Sequence, residues 1–205
     1  AYAGKAELTL CPTFIYAGKP KEDFIRAMWL HFPRAAEGAA TWALGGQARH
    51  GGALPDRSAV SLTTIGPEKI YHMAPYDQDK TVKYTVRQDG RQLAEGKEAA
   101  GWARLADKAG SLELAVRDFW QMHPKQLKLE RGGAGVYLWP DQGGKVLDFR
   151  RRYDEVENTY HYDLSLWEFG GEGVGVTHEI ALRFGGPADD TAAALGASLD
   201  DPLLL

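Results

Sequence analysis

Cysteine is almost absent: Cys11 is the only one in 205 residues, so no disulfide can form within the chain and a thiolate metal site would need other ligands. Charge of one sign is not in surplus either. Lys and Arg number 24 against 28 Asp and Glu, a net charge of −4, which leaves no basic excess to hold a phosphate backbone and removes nucleic acid from the expected partners. No run approaches the ~20 apolar residues of a membrane helix, so no membrane partner is expected. The opening residues Ala1-Tyr2-Ala3-Gly4 carry neither an initiator Met nor a charged-then-apolar leader, and the closing residues end on the apolar run Leu203-Leu204-Leu205. Both ends read as cuts within a longer protein.

Several motifs are missing as well. No Gly-x-Gly-x-x-Gly opens a helix, and no Walker loop or Gly-x-Ser-x-Gly elbow occurs, so nucleotide chemistry and serine hydrolysis have no support. His178-Glu179 is not followed by a second histidine, because Leu182 stands there, which excludes the zinc-protease motif. Asp154, Glu155, Glu157 and Asp163 lack the loop spacing of a calcium site and read as a solvated charged face. No metal and no cofactor is expected.

What the chain does have is glycine, proline and aromatics: 24 Gly, 10 Pro, 6 Trp, 9 Tyr and 7 Phe, the profile of a turn-rich β protein. Residues 24–32 alternate with apolar side chains on both faces, which predicts a strand covered on both sides. Residues 81–87 alternate Val82, Tyr84 and Val86 against Lys83, Thr85 and Arg87, then meet Asp89-Gly90, a strong hairpin signal. Further strands are predicted at 8–16 (broken at Pro12), 59–65, 101–106, 112–120, 126–130, 136–139, 146–150 and 177–184, punctuated by Gly and Pro. Residues 45–57, with two Gly-Gly pairs and Pro55, read as a long loop. Only 190–199 reads as a helix, with Asp189 or Asp190 as its N-cap. The expected fold is all-β, an antiparallel sandwich with long loops and a short C-terminal helix, with less than about a fifth of its residues helical. Residues 1–187 form the sandwich in this reading, and 188–205 form an exit segment.

The richest stretch for chemistry is 160–179, where four glycines between 170 and 175 precede Thr177-His178-Glu179. One reading places His178 and Glu179 as catalytic candidates at a strand mouth. The other makes His178 a hydrogen-bonded histidine at the core's edge, sharing a face with Ile180, Leu182 and Phe184, and spacing favours it. In that case period-2 alternation turns Glu179 to the opposite face, unless a bulge intervenes. Trp120 could stack on the apolar side of a sugar ring or be an ordinary core tryptophan. Lys125 lies close behind it in sequence. Arg150 and Arg151 could hold a uronate carboxylate through paired hydrogen bonds, or simply be solvated.

Four segments taken in order carry a resemblance. They are Phe119-Trp120-Gln121-x-x-Pro124-Lys125, Val136-Tyr137-Leu138-Trp139-Pro140, Leu147-Asp148-Phe149-Arg150-Arg151, and Gly173-Val174-Gly175-Val176-Thr177-His178-Glu179-Ile180. With Asp23-Phe24-Ile25-Arg26 before them, the chain resembles the exo-rhamnogalacturonan lyase family and its YetA-like bacterial relatives. The resemblance implies a central β-sandwich, flanked in the parent protein by a β-rich domain and an α/α-toroid. It also implies β-elimination at a uronic acid of a polysaccharide or oligosaccharide substrate, and a secreted or periplasmic parent. For such a substrate, side-chain chemistry rather than the resemblance places the expected contacts on Trp120, Lys125, Arg150 and Arg151. The pattern departs at Val176, where the family's Lys is expected. A lyase wall, an independent carbohydrate-binding module and a bracing domain are the three functions to separate. Trp29, Trp102 and Trp120 fall in patterned strands and are expected to be buried, which favours the first and third.

Overall fold

The structure is a computed structural model that describes residues 6–19, 22–66, 82–141, 146–147 and 172–200. Two six-stranded antiparallel sheets face each other. The first runs β1 (Glu7–Leu10), β14 (Ile180–Gly185), β10 (Gly110–Val116), β9 (Trp102–Asp107), β4 (Ala40–Gly45), β5 (Arg49–Leu54). The second runs β3 (Met28–Pro33), β12 (Gly133–Trp139), β11 (Lys125–Glu130), β6 (Ala59–Ile65), β7 (Lys83–Gln88), β8 (Arg91–Lys97). A ribbon of β2 (Thr13–Ile15) and β13 (Gly175–Thr177) lies beside them. Alternation decides what is inside: Trp42, Leu44, Leu105, Leu112, Leu114 and Leu182 of the first sheet meet Val60, Leu62, Val86, Leu127, Leu129 and Val136 of the second in one core.

The expected hairpin at Asp89-Gly90 is present: both residues have positive φ, 50° and 81°, as a two-residue turn requires, and β7 pairs with β8 across it. Strand β6 occupies 59–65 as read from the sequence, and Pro12 separates β1 from β2.

Four of the expected strand and loop assignments need correction. Residues 45–57 are not one long loop but contain β5, paired with β4 along its whole length. Glycine hides that strand: a Cβ at Gly52 would press on the Trp42 indole at 3.3 Å and one at Gly51 on the Trp42 carbonyl at 3.0 Å, so the strand gives up side chains to fit the tryptophan. The strand expected over 24–32 starts only at Met28 and is a sheet edge; Met28, Leu30 and Phe32 face the core, while Trp29 and His31 face out. The strand expected over 177–184 is split at His178-Glu179 into β13 and β14, which belong to different sheets, and Phe184, beyond the end of the core, is exposed. The strand expected over 112–120 ends at Val116, and 117–122 turn, with Asp118 at φ 51°.

Strands β9 and β10 are buried on both faces because a helix covers the outer one. Helix α1 (Ala192–Asp200) buries Ala192, Leu195, Gly196 and Leu199, spaced i, i+3, i+4 and i+7, against Ala43, Trp102, Ala115 and Ala181. Its start is held by Thr191 rather than by Asp189 or Asp190. The Thr191 N–H and hydroxyl both donate to the buried Glu113 carboxylate, at 2.8 and 2.5 Å, while Asp189 accepts from Gly186 N–H and Asp190 pairs with Arg49. A sheet carboxylate does the work expected of an N-cap side chain, which no local pattern reveals.

Candidate functional site

Strand β11 aims Lys125, Leu127 and Leu129 at the core, so alternation alone buries a lysine; it is 1% exposed. Its backbone is fixed by Thr64 on β6, whose hydroxyl accepts from Lys125 N–H at 2.9 Å and donates to Lys125 C=O at 3.2 Å. The approach to the strand is equally constrained. The His123–Pro124 bond is cis, His123 Nδ1 lies 3.2 Å from the Trp120 carbonyl, and a Cβ at Gly66 would strike the His123 ring at 2.0 Å, so glycine there makes room for it.

His178 reaches the same place from the junction of β13 and β14. Its N–H donates to Pro12 C=O at 3.0 Å, the residue is 5% exposed, and Nδ1 lies 3.2 Å from Lys125 Nζ. The two line a cavity of about 280 Å³ together with Met122, His123, Leu138 and Trp139. The indole Nε1–H of Trp139 is buried with no acceptor among the described residues. None of the residues lining this cavity is acidic, and no ion pair of Lys125 occurs among the described residues.

Burial, with no counter-charge among the described residues, sets the protonation states. It pulls Lys125 from 10.5 down to about 8. His178 falls from 6.5 to about 4, first through burial and then through the neighbouring Lys125 charge. Near neutral pH the imidazole is therefore uncharged. The ammonium donates to Nδ1, which puts the ring proton on Nε2.

Both depressed values have the same consequence for stability. The unfolded chain binds more protons than the folded one between each pair of values, so stability should rise with pH from about 4 to 6.5 through His178 and again from about 8 to 10.5 through Lys125. Urea unfolding of the protein and of His178→Asn and Lys125→Met across pH 3.5–11 checks this. Each substitution should flatten its own window, and an unchanged slope in both would refute the protonation scheme.

The structure does not bring His178 and Glu179 together. Glu179 turns the other way, to Arg117 at 2.9 Å, and Arg117 in turn donates to the Leu199 carbonyl at 2.7 Å, holding the end of α1. Trp120 sits half-buried in the turn rather than in a strand. Arg150 and Arg151 lie outside the described residues, as do the acidic group 154–163 and the glycine-rich run up to Gly171. The sequence names His178 and Lys125 as candidates but not their direct contact, whose visible signal is a lysine in the apolar row with Leu127 and Leu129. Residues 77–182, which include both, match the family model described as the PcRGLX-like protein central beta sandwich domain.

Proposed function

The chain belongs to the PcRGLX-like central beta sandwich family, that of rhamnogalacturonan lyase-like proteins, and from this premise we propose that it forms one wall of the substrate cleft of a polysaccharide lyase, with Lys125 as its reactive group. The observation that carries the reading is a buried lysine that lines a cavity and has no counter-ion among the described residues, with burial pulling its pKa down to about 8. A structural lysine gains nothing from such a place, whereas a general base needs a pKa close to the working pH. In the reaction, neutral Lys125 takes the proton from C5 of a uronate. The electron pair forms the C4–C5 double bond, the C4–O bond breaks, and the leaving oxygen takes a proton from an acid. His178 is a positioning residue: its Nδ1 holds the lysine nitrogen, and its low pKa keeps a second positive charge away. Arg150 and Arg151 have the guanidinium chemistry that a uronate carboxylate calls for.

The test uses the parent protein and the ultraviolet absorbance of unsaturated products. Lys125→Met should lower kcat by about 10²-fold or more. In the unaltered protein kcat should rise with pH through a limb near the lysine's value of about 8. Full activity in Lys125→Met would sink the proposal.

A further inference from the structure

Trp29 was expected in the core but is 55% exposed on the outer face of the second sheet, at the edge strand β3. It is stacked on Tyr137, with ring centroids 5.9 Å apart and planes 20° from parallel, an offset arrangement that makes one continuous aromatic surface. Gly135 is what lets the tyrosine lie down. A Cβ there would stand 3.0 Å from the Tyr137 ring, so a side chain at this position would push the ring out of its place by a few tenths of an ångström or more.

The register continues this surface across all six strands. Trp29 is opposite Tyr137, Tyr137 opposite Gln126, Gln126 opposite Thr63, Thr63 opposite Thr85, and Thr85 opposite Glu95. At the usual strand spacing of ~4.8 Å the row is about 24 Å long, enough for an oligosaccharide rather than one sugar. It begins with an aromatic face and goes on with an amide, two hydroxyls and a carboxylate. The Gln126 side-chain N–H donates to Thr63 Oγ1 at 2.7 Å, so these groups are held in place. Among the described residues, the two flanking rows add Lys128, Arg87, Lys83 and Lys97, and Glu130, one row further out on β11, pairs with Lys128, so four cations stand beside the two carboxylates Glu95 and Glu130 in a chain whose net charge is −4.

The geometry points to a saccharide-binding strip along this row, taking an acidic, uronate-containing oligosaccharide. The apolar face of a sugar ring packs on Trp29 and Tyr137, its hydroxyls meet Gln126, Thr63 and Thr85, and the flanking lysines and Arg87 face its carboxylates. The strip is separate from the Lys125 cavity: Gln126 follows Lys125 in sequence but alternation turns it to the opposite face. The inference does not depend on Lys125 having a catalytic role.

Affinity gel electrophoresis of the full chain tests it, with de-esterified polygalacturonate, neutral galactan and a single-stranded oligothymidylate as probes. Polygalacturonate should retard the protein, and galactan and oligothymidylate should not. Trp29→Thr, which places a residue of high strand propensity at an exposed strand position, should weaken retardation at least tenfold with an unchanged melting temperature. Gly135→Val should weaken it too, by displacing the Tyr137 ring. Lys125→Met should leave it unaltered, so that failure of the catalytic proposal and failure of this one are told apart. Retardation that survives Trp29→Thr and Gly135→Val, that disappears in Lys125→Met, or that oligothymidylate produces equally would overturn the inference.

Discussion

Lys125→Met should melt higher than the unaltered protein at pH 7, by roughly 2–12 °C, corresponding to about 1–3 kcal/mol for a chain of this size. The argument begins with desolvation. Lys125 is 1% exposed and shares its surroundings with Leu138, Met122 and Trp139, and its one polar side-chain contact among the described residues is the neutral His178. Below about pH 8 the folded chain holds a largely desolvated ammonium that no carboxylate among the described residues offsets. Methionine has a similar unbranched shape, fills the same channel and leaves only the His178 Nδ1 without its donor. The gain must shrink as pH rises from about 8 to 10.5, because the native lysine then loses the charge that makes it costly. A substitution that stabilises the fold while removing activity from the parent protein identifies a residue retained for chemistry at the expense of stability. Thermal melts of both proteins at pH 7 and pH 10.5 decide the point. A lower melting temperature for Lys125→Met at pH 7 would mean that the lysine has a counter-ion and is structural.

Much of the sandwich could be read in advance because its strands obey local rules. Val82, Tyr84 and Val86 alternate with polar residues, and Asp89-Gly90 supplies a positive-φ pair that a two-residue hairpin favours. What failed to show did so for identifiable reasons. Gly51 and Gly52 conceal β5 because the strand is shaped by the bulk of Trp42, a residue ten positions away. Trp29 looks like a core residue in any pattern of alternating apolar side chains, and only the position of β3 at the sheet edge, set by long-range pairing with β12, turns it outward. The site shows the same division. The inward direction of Lys125 follows from Leu127 and Leu129 two and four residues on. Its meeting with His178 depends on a junction between two sheets more than fifty residues away, where alternation breaks. The separation of His178 from Glu179 was legible because adjacent residues in extended chain point apart, and the Arg117 pairing of Glu179 agrees.

Glu113→Ala should destabilise the protein by about 3–5 kcal/mol, the largest loss expected of any single substitution considered for this fold. Glu113 is fully buried on the outer face of β10, between the sheet and α1. Its two oxygens accept from the Thr191 N–H and hydroxyl at the helix start, and one lies 3.7 Å from the Arg104 guanidinium, itself nearly buried. Arg104 also donates to the carbonyls of Asp189 and Pro187, at 2.7 Å each, so both charges fasten the segment that leads into the helix. Alanine removes the nearest negative charge and leaves the guanidinium with the two carbonyls and the more distant Asp190 carboxylate, while the Thr191 donors lose their acceptor. Glu113→Gln keeps the shape and one acceptor oxygen but not the charge, so its loss should be smaller, about 1–3 kcal/mol. Amide exchange separates a local from a global effect. If Glu113 is the clamp described, protection in α1 should fall first, exposing the apolar patch of Ala43, Trp102, Ala115 and Ala181 that the helix covers, while β6, β11 and β12 exchange last. A Glu113→Ala protein within about 0.5 kcal/mol of the original, with α1 still protected, would show that the apolar stripe of Leu195 and Leu199 holds the helix without help.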